Sequence, residues 1–299
     1  MMLALAACST SATDGGPTSS APAAPKTSGA SVEAAQVAAV EGLYEIAFND
    51  HDPQKAADLY IGDSYIQHNA QVADGADGFV AGVQGIIDSS ADLHNTIVRI
   101  FVQGPLVGVH STTSYGGGVA DQSVMDFFAF EDGEIVEHWD AAQDVPATTV
   151  SGHSMFDGST ASPDRDAKVL DRNTAAALDF LDLAFNQAKA REAVDTYVAE
   201  PYVQHNTGVA DGGAAFVEAF AGGTPLTGDL KTVFPRTVAQ GDFVMVQTFA
   251  PKEAGSQEGS GSFDIFLFNE EGKIVEHWDA MQVYGAETVN SHTVWDTGR

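Results

Sequence analysis

The sequence predicts an α+β protein in which one domain is built twice. Two observations carry this. Residues 135–143 read IVEHWDAAQ and residues 274–282 read IVEHWDAMQ, while YIQHNAQVADG at 65–75 returns as YVQHNTGVADG at 202–212. His68 precedes His138 by 70 positions and His205 precedes His277 by 72, so both blocks recur in one frame of roughly 130 residues. Within each frame, helix-period stretches come first and β-branched and aromatic stretches follow. That order suits helices packed on one face of a mostly antiparallel sheet.

The first frame opens near Ser31. In SVEAAQVAAVEGLYEIAFND, Val32, Val40, Leu43, Ala47 and Phe48 fall near helical spacing, Ser31 is placed to cap, and Asn49, Asp50 and Pro53 close the helix. A short helix is expected over 54–60 and a short strand over 65–69. After the VADG turn a further helix follows over 77–88, weakened by its glycines. Strands are expected at 96–102, 105–113, 123–130 and 134–141, punctuated by Gly104, the glycines 116–118 and Asp132-Gly133. The second frame repeats the order: a long helix over 165–186, a short one over 188–198, a strand at 202–206, and strands at 230–239, 242–249, 262–269 and 273–281. The expected boundaries are a first domain at 31–157, a linker at 158–164 and a second domain at 165–299.

Ahead of the domains, LALAAC followed by Ser9 resembles a lipobox, the signal in which a cysteine becomes lipid-modified. Cys8 is the lone cysteine of the chain. The preceding apolar run is short and lacks a basic flank. Residues 9–30 (STSATDGGPTSSAPAAPKTSGA) contain no aromatic residue and read as a disordered tether. The expectation is a body held at a bacterial cell envelope through Cys8, facing outside the cytoplasm, with the lipid its sole attachment to membrane. No run of 18 apolar residues offers a transmembrane helix. The formal net charge of −29, from 13 basic and 42 acidic residues, argues against nucleic acid as a partner.

The two blocks, together with D-x-F-x-F before the IVEHWD ending, resemble SnoaL-like proteins of the NTF2-like group, particularly those described as predicted aldol-condensation or polyketide-cyclase enzymes. The resemblance covers residues 35–157 and 170–297. It implies two cone-shaped folds, each a curved sheet wrapped by helices around a pocket. It also implies an internal pseudo-dimer formed through the sheets, and chemistry without cofactor or metal.

Asp126 in VMDFFAF and Asp264 in SFDIFLF each sit among apolar residues in an expected strand. Alternation puts Asp126 on the face of Phe128 and Phe130, where desolvation favours an acid-base role. Their position matches the acid/base aspartate that the resemblance implies. His68, His138, His205 and His277 are expected beside the aspartates; each also has polar neighbours that would satisfy it structurally. Trp139 and Trp278 alternate with the histidines and should face the opposite side. Tyr65, Gln67 and Asn69, with Tyr202, Gln204 and Asn206, alternate with the first-block histidines; one side of that strand should reach the pocket. Gln143, Gln282 and His110 complete the expected ligand contacts, and His110 is matched by Gln247 in the second half. His153 and His292 form a third repeated pair without local metal-ligand spacing. Two functions follow. One is a cofactor-independent lyase or isomerase moving a proton beside a carbonyl. The other is a surface-tethered binding or assembly protein of the same fold.

Overall fold

A computed structural model describes residues 29–90 and 92–296. Cys8 and residues 9–28 of the expected tether lie outside the described residues, while Gly29 and Ala30, expected to belong to the tether, open the first helix. The first half runs α1 (Gly29–Tyr44), α2 (Pro53–Tyr60), β1 (Ile61–Gln67), α3 (Gly75–Ser89), β2 (His94–Gln103), β3 (Leu106–Ser114), β4 (Gln122–Glu131) and β5 (Glu134–Asp144). The second runs α4 (Ala167–Leu181), α5 (Ala190–Tyr197), β6 (Val198–Gln204), α6 (Gly213–Phe220), β7 (Thr237–Gln240), β8 (Phe243–Pro251), β9 (Gly259–Phe268) and β10 (Ile274–Tyr284).

Each half contains one five-stranded sheet, in the orders β1-β5-β4-β3-β2 and β6-β10-β9-β8-β7. The last four strands of each are antiparallel. The first strand instead joins the last in parallel, with Gln67 opposite His138 and Gln204 opposite His277. The tandem α+β NTF2-like expectation therefore holds. One local expectation does not, and one helix had not been expected. Residues 213–220 form a helix, and 230–239 is not one strand: a 3₁₀ turn at Gly228–Leu230 precedes the four-residue β7. Gly222, Gly223 and Pro225 break the helical pattern early, leaving α6 at eight residues against fifteen for α3.

The long helix of each half ends in a π-turn, Glu45–Asn49 and Asp182–Asn186. The wider turn aims an asparagine at the sheet edge. Asn49 donates to Asn95 O and accepts from Asn95 N, and Asn186 treats Thr232 the same way. These paired bonds fasten helix to sheet.

Alternation gives each sheet two apolar faces. One packs under its own helices, with Leu43, Phe79 and Phe128 in the first half and Phe180, Phe216 and Phe266 in the second. The other faces meet between the halves: Phe101, Met125, Phe127 and Trp139 pack with Phe243, Met245, Phe263 and Trp278. The expected orientation of the tryptophans is thus observed. Glutamines stitch this contact reciprocally. Gln240 Oε1 accepts from Val102 N and Gln103 Oε1 from Ala239 N; Gln282 Oε1 accepts from Ala142 N and Gln143 Oε1 from Met281 N, all at 2.8 Å. Gln143 is therefore an interdomain tie rather than the ligand contact expected of it.

The chain ends of the halves are exchanged. After β5, Val150 N bonds Thr207 O and Ser154 O meets His205 Nδ1, both in the second half. After β10, Val289 N bonds Ala70 O and Thr293 O meets His68 Nδ1, both in the first.

Candidate functional site

β1, β4, β5 and α1 of the first half converge on a cavity of about 640 Å³. Asp126 and Asp140 are cross-strand partners, and Phe128 is opposite His138, so period-2 alternation brings all four to one face. Asp126, 4 % exposed, is held from two sides. Tyr44 Oη donates to Oδ2 at 2.6 Å, and His138 Nε2 lies 3.0 Å from Oδ1.

The neighbours fix where protons can sit. Asn69 N–H donates to Gln67 Oε1 at 2.9 Å, which turns the amide oxygen toward His138 Nδ1, also 2.9 Å away. Nδ1 must therefore donate. The remaining mobile proton lies on the axis between His138 Nε2 and Asp126 Oδ1, giving either a carboxylate–imidazolium pair or a neutral acid–imidazole pair. Burial alone would lower the His138 pKa. The bond to Asp126 and the charges of Asp140 and Asp126 outweigh it and leave the histidine raised. Burial raises Asp140, opposed by His138 and reinforced by Asp126. Burial and Asp126 also hold the Tyr44 hydroxyl protonated, well above its ordinary value.

Tyr65, Gln67 and Asn69 line the cavity with His138. Gln67 Nε2 donates to Tyr65 Oη at 3.0 Å, and Asn69 Nδ2 to Asp140 Oδ2 at 2.7 Å. The polar side of the short strand is thus the Tyr65–Gln67–Asn69 side, which forces the intervening His68 the other way. His68 is a correction to the expected catalytic set. It is buried between Glu137 (2.8 Å) and Thr293 O (2.7 Å), and its ring stacks on Trp139 at 4.9 Å. Arg236 of the second half lies 3.5 Å from the Trp139 ring centroid. His205 repeats this with Glu276, Ser154 O and Trp278, and Arg99 sits 4.1 Å over that tryptophan. Both histidines support the contact between halves.

His110 is a second correction. It opposes Met125, whose side chain belongs to the interdomain core, so it also points away from the cavity. It is fully buried against Arg99 and Ser123, and burial and Arg99 drive its pKa well down. His153 and His292 pair with Asp211 and Asp74 at 3.0 and 3.2 Å.

The second half builds a related cluster. His277 Nε2 is 3.1 Å from Asp264 Oδ1 and its Nδ1 is 2.7 Å from Gln204 Oε1. Gln204 Nε2 reaches Tyr202 Oη at 3.4 Å, and Asn206 Nδ2 donates to Asp279 Oδ2 at 2.5 Å. Burial raises Asp279 to about 6. Aligning the AFN triplets puts Leu181 where the first half has Tyr44. Asp264 Oδ2 takes its bonds instead from Thr248 Oγ1 (2.9 Å) and Ser262 Oγ (2.8 Å).

Asp126, His138 and Asp140, and likewise Asp264, His277 and Asp279, offer donor atoms within 4.8 Å of one another and could hold a metal ion. These atoms already engage each other, Tyr44 or the hydroxyls, and the Gln/Asn pair. The exceptions are the buried Oδ1 atoms of Asp140 and Asp279, which have no hydrogen-bond partner among the described residues.

Sequence reasoning missed Tyr44 and undervalued Asp140. Tyr44 left little signal, because in the frame set by the AFN triplets its neighbours Leu43, Glu45 and Ile46 also differ from Phe180, Asp182 and Leu183; Asp140 left one in its two-residue spacing from His138.

A SnoaL-like domain profile matches residues 40–138 and 177–277, about two thirds of the chain. Solved structures match one half at a time. TsrD from Streptomyces laurentii is 23% identical, with 37% of this chain and 89% of that one covered and a TM-score of 0.33. A putative polyketide cyclase from Bacillus cereus is 17% identical, with coverages of 36% and 74% and a TM-score of 0.34. A putative SnoaL-like polyketide cyclase from Jannaschia sp. is 17% identical, with coverages of 42% and 92% and a TM-score of 0.34. No curated protein sequence matches.

Proposed function

The chain belongs to the SnoaL-like domain family in both halves, and from that premise we propose that its first half moves a proton beside the carbonyl of a small, largely apolar compound, without a cofactor. The observation that carries this reading is the Asp126–His138 pair in the lining of a cavity, with its proton restricted to one axis by Gln67. As carboxylate, Asp126 takes a proton from the carbon next to the carbonyl, and His138 and Tyr44 stabilise the charge it carries beforehand. The enol or enolate product regains a proton at carbon from the same acid, or passes to carbon–carbon bond formation or isomerisation. Hydrogen bonds to an ionised group are worth ~1.5–3 kcal/mol each. Two such partners hold Asp126 in place between proton removal and return.

The test is solvent exchange. Incubation of 2-acetylnaphthalene in D₂O with the protein is expected to deuterate its acetyl methyl group, read by NMR, faster than buffer does. Asp126→Asn should remove the acceleration. Exchange at the buffer rate with wild-type protein sinks the reading.

A second reading, a tethered binding protein without chemistry, draws on the second half. There the Asp–His pair persists with Leu181 in the tyrosine position and hydroxyls occupying Asp264, so the pair also serves as a strand-to-strand tie. Probe binding without exchange would favour it. Anchoring at a cell envelope through Cys8 belongs to this proposal too and rests on LAAC–Ser9 alone. Radiolabelled palmitate entering the wild-type protein and not Cys8→Ser would support it; no label in either would remove it.

A further inference from the structure

The wall of the first-half cavity is not made by the first half alone. Gln282, Val283, Tyr284, Gly285 and Glu287, from the end of β10 and the turn after it, line the same space as Asp126 and His138. This stretch is fixed to the first half on both sides. Within its first residues, Ala142 N donates to Gln282 Oε1 at 2.8 Å, and Tyr284 Oη donates to the Asp140 carbonyl at 3.0 Å. After it, Val289 N bonds Ala70 O, and Asn290 Nδ2 donates to Asn69 O at 2.7 Å and Val72 O at 2.9 Å. Segment 282–287 is therefore a braced strap across one side of the cavity. Asn290 also steadies the loop that carries Asn69, the residue bonded to Asp140.

Charge narrows what can lie against this strap. Among the described residues the cavity lining holds three carboxylates, Asp126, Asp140 and Glu287, and neither lysine nor arginine. Leu43, Phe48, Phe79, Val83 and Ile86 supply an apolar side. An anionic ligand would lose its hydration here with no lysine or arginine to pair it, with carboxylates beside it, and with both ring nitrogens of His138 already engaged by Gln67 and Asp126. An uncharged one would bury apolar area at no such cost.

We infer that segment Gln282–Glu287 of the second half is the specificity wall of the first-half site, and that it admits uncharged, apolar carbonyl compounds while rejecting those bearing an anion at the end away from the carbonyl. The inference rests on the proposed location of the site, but not on turnover. Binding can therefore fail or succeed separately from exchange.

The experiment is calorimetric titration of the full chain with two probes of matched shape, 2-acetylnaphthalene and 6-acetyl-2-naphthoate. Wild-type protein is expected to bind the uncharged ketone at least tenfold tighter. Glu287→Lys should tighten the naphthoate alone, by about threefold or more, since its charge is exposed and partly screened. Val283→Trp should weaken both. Circular dichroism melts establish that the variants remain folded. Equal affinities in the wild type, unchanged affinities in both variants, or no binding of either probe would each overturn the inference. If the affinity pattern holds while exchange is absent, the proton-transfer reading falls and the specificity wall stands.

Discussion

The two halves keep the same aspartate–histidine pair and treat it differently. In the first, Asp126 meets a helix tyrosine and opens on a cavity; in the second, Asp264 meets two strand hydroxyls and the helix offers Leu181. Ala142 of the first half is matched by Met281, whose sulfur lies 3.6 Å from Asn206 Nδ2. A shared backbone and a shared hydrogen-bonded pair thus do not make a shared site. The difference lies in which neighbours occupy the second carboxylate oxygen.

The widest separation between the halves is expected in exchange rate. Asp126→Asn should cut the acceleration of 2-acetylnaphthalene exchange by about 10²- to 10⁴-fold, the usual weight of a positioned acid-base group, while Asp264→Asn leaves it within about twofold. Comparable losses in both variants would erase the distinction. Tyr44→Phe comes next. Loss of one hydrogen bond to an ionised carboxylate should slow exchange by about 10- to 100-fold, with Leu181→Ala as the matched control in the other half.

A third contrast is in pH. The folded pKa of Asp279 is raised to about 6, above that of an unfolded aspartate near 3.9. Between those values the folded state keeps a proton that the unfolded state has lost, so this group's contribution to stability declines as pH rises. His277 is raised as well: burial alone would lower it, but the bond to Asp264 and the charges of Asp279 and Asp264 prevail. It therefore adds a loss of the same sign above pH 6.5. Thermal melts from pH 4 to 7 should show Asp279→Asn gaining on wild type as pH rises; a constant difference would remove the group from the balance. The smallest effect concerns the ties between halves. Gln143→Ala is expected to cost ~1 kcal/mol, lowering the melting temperature by about 2 °C, without changing probe affinity. A change in affinity would restore Gln143 to the ligand contacts.

Much of this arrangement was legible in the chain. The duplicated blocks gave two domains. Period-2 alternation gave the facing of Asp126 with Phe128, and of His138 opposite to Trp139, because a strand's faces follow from the backbone pleat alone. What alternation cannot supply is register between distant strands. His68 and Gln67 were equally good candidates until β1 paired in parallel with β5 and set Gln67 opposite His138. His110 failed for the same reason: its face is fixed by pairing with Met125. Tyr44 reaches Asp126 across 82 positions from a helix, a contact no local pattern encodes. The exchanged chain ends were illegible because their partners lie in the opposite half.

That exchange has an evolutionary consequence. In a symmetric pair of separate chains, every substitution appears on both sides at once. Here each half is tied to the other by the segment that follows its own last strand, and both copies lie within a single chain. One copy is thereby free to drift while the other is held. Leu181 against Tyr44, and Met281 against Ala142, are one-sided changes that a homodimer could not have tried without giving up both of its sites together.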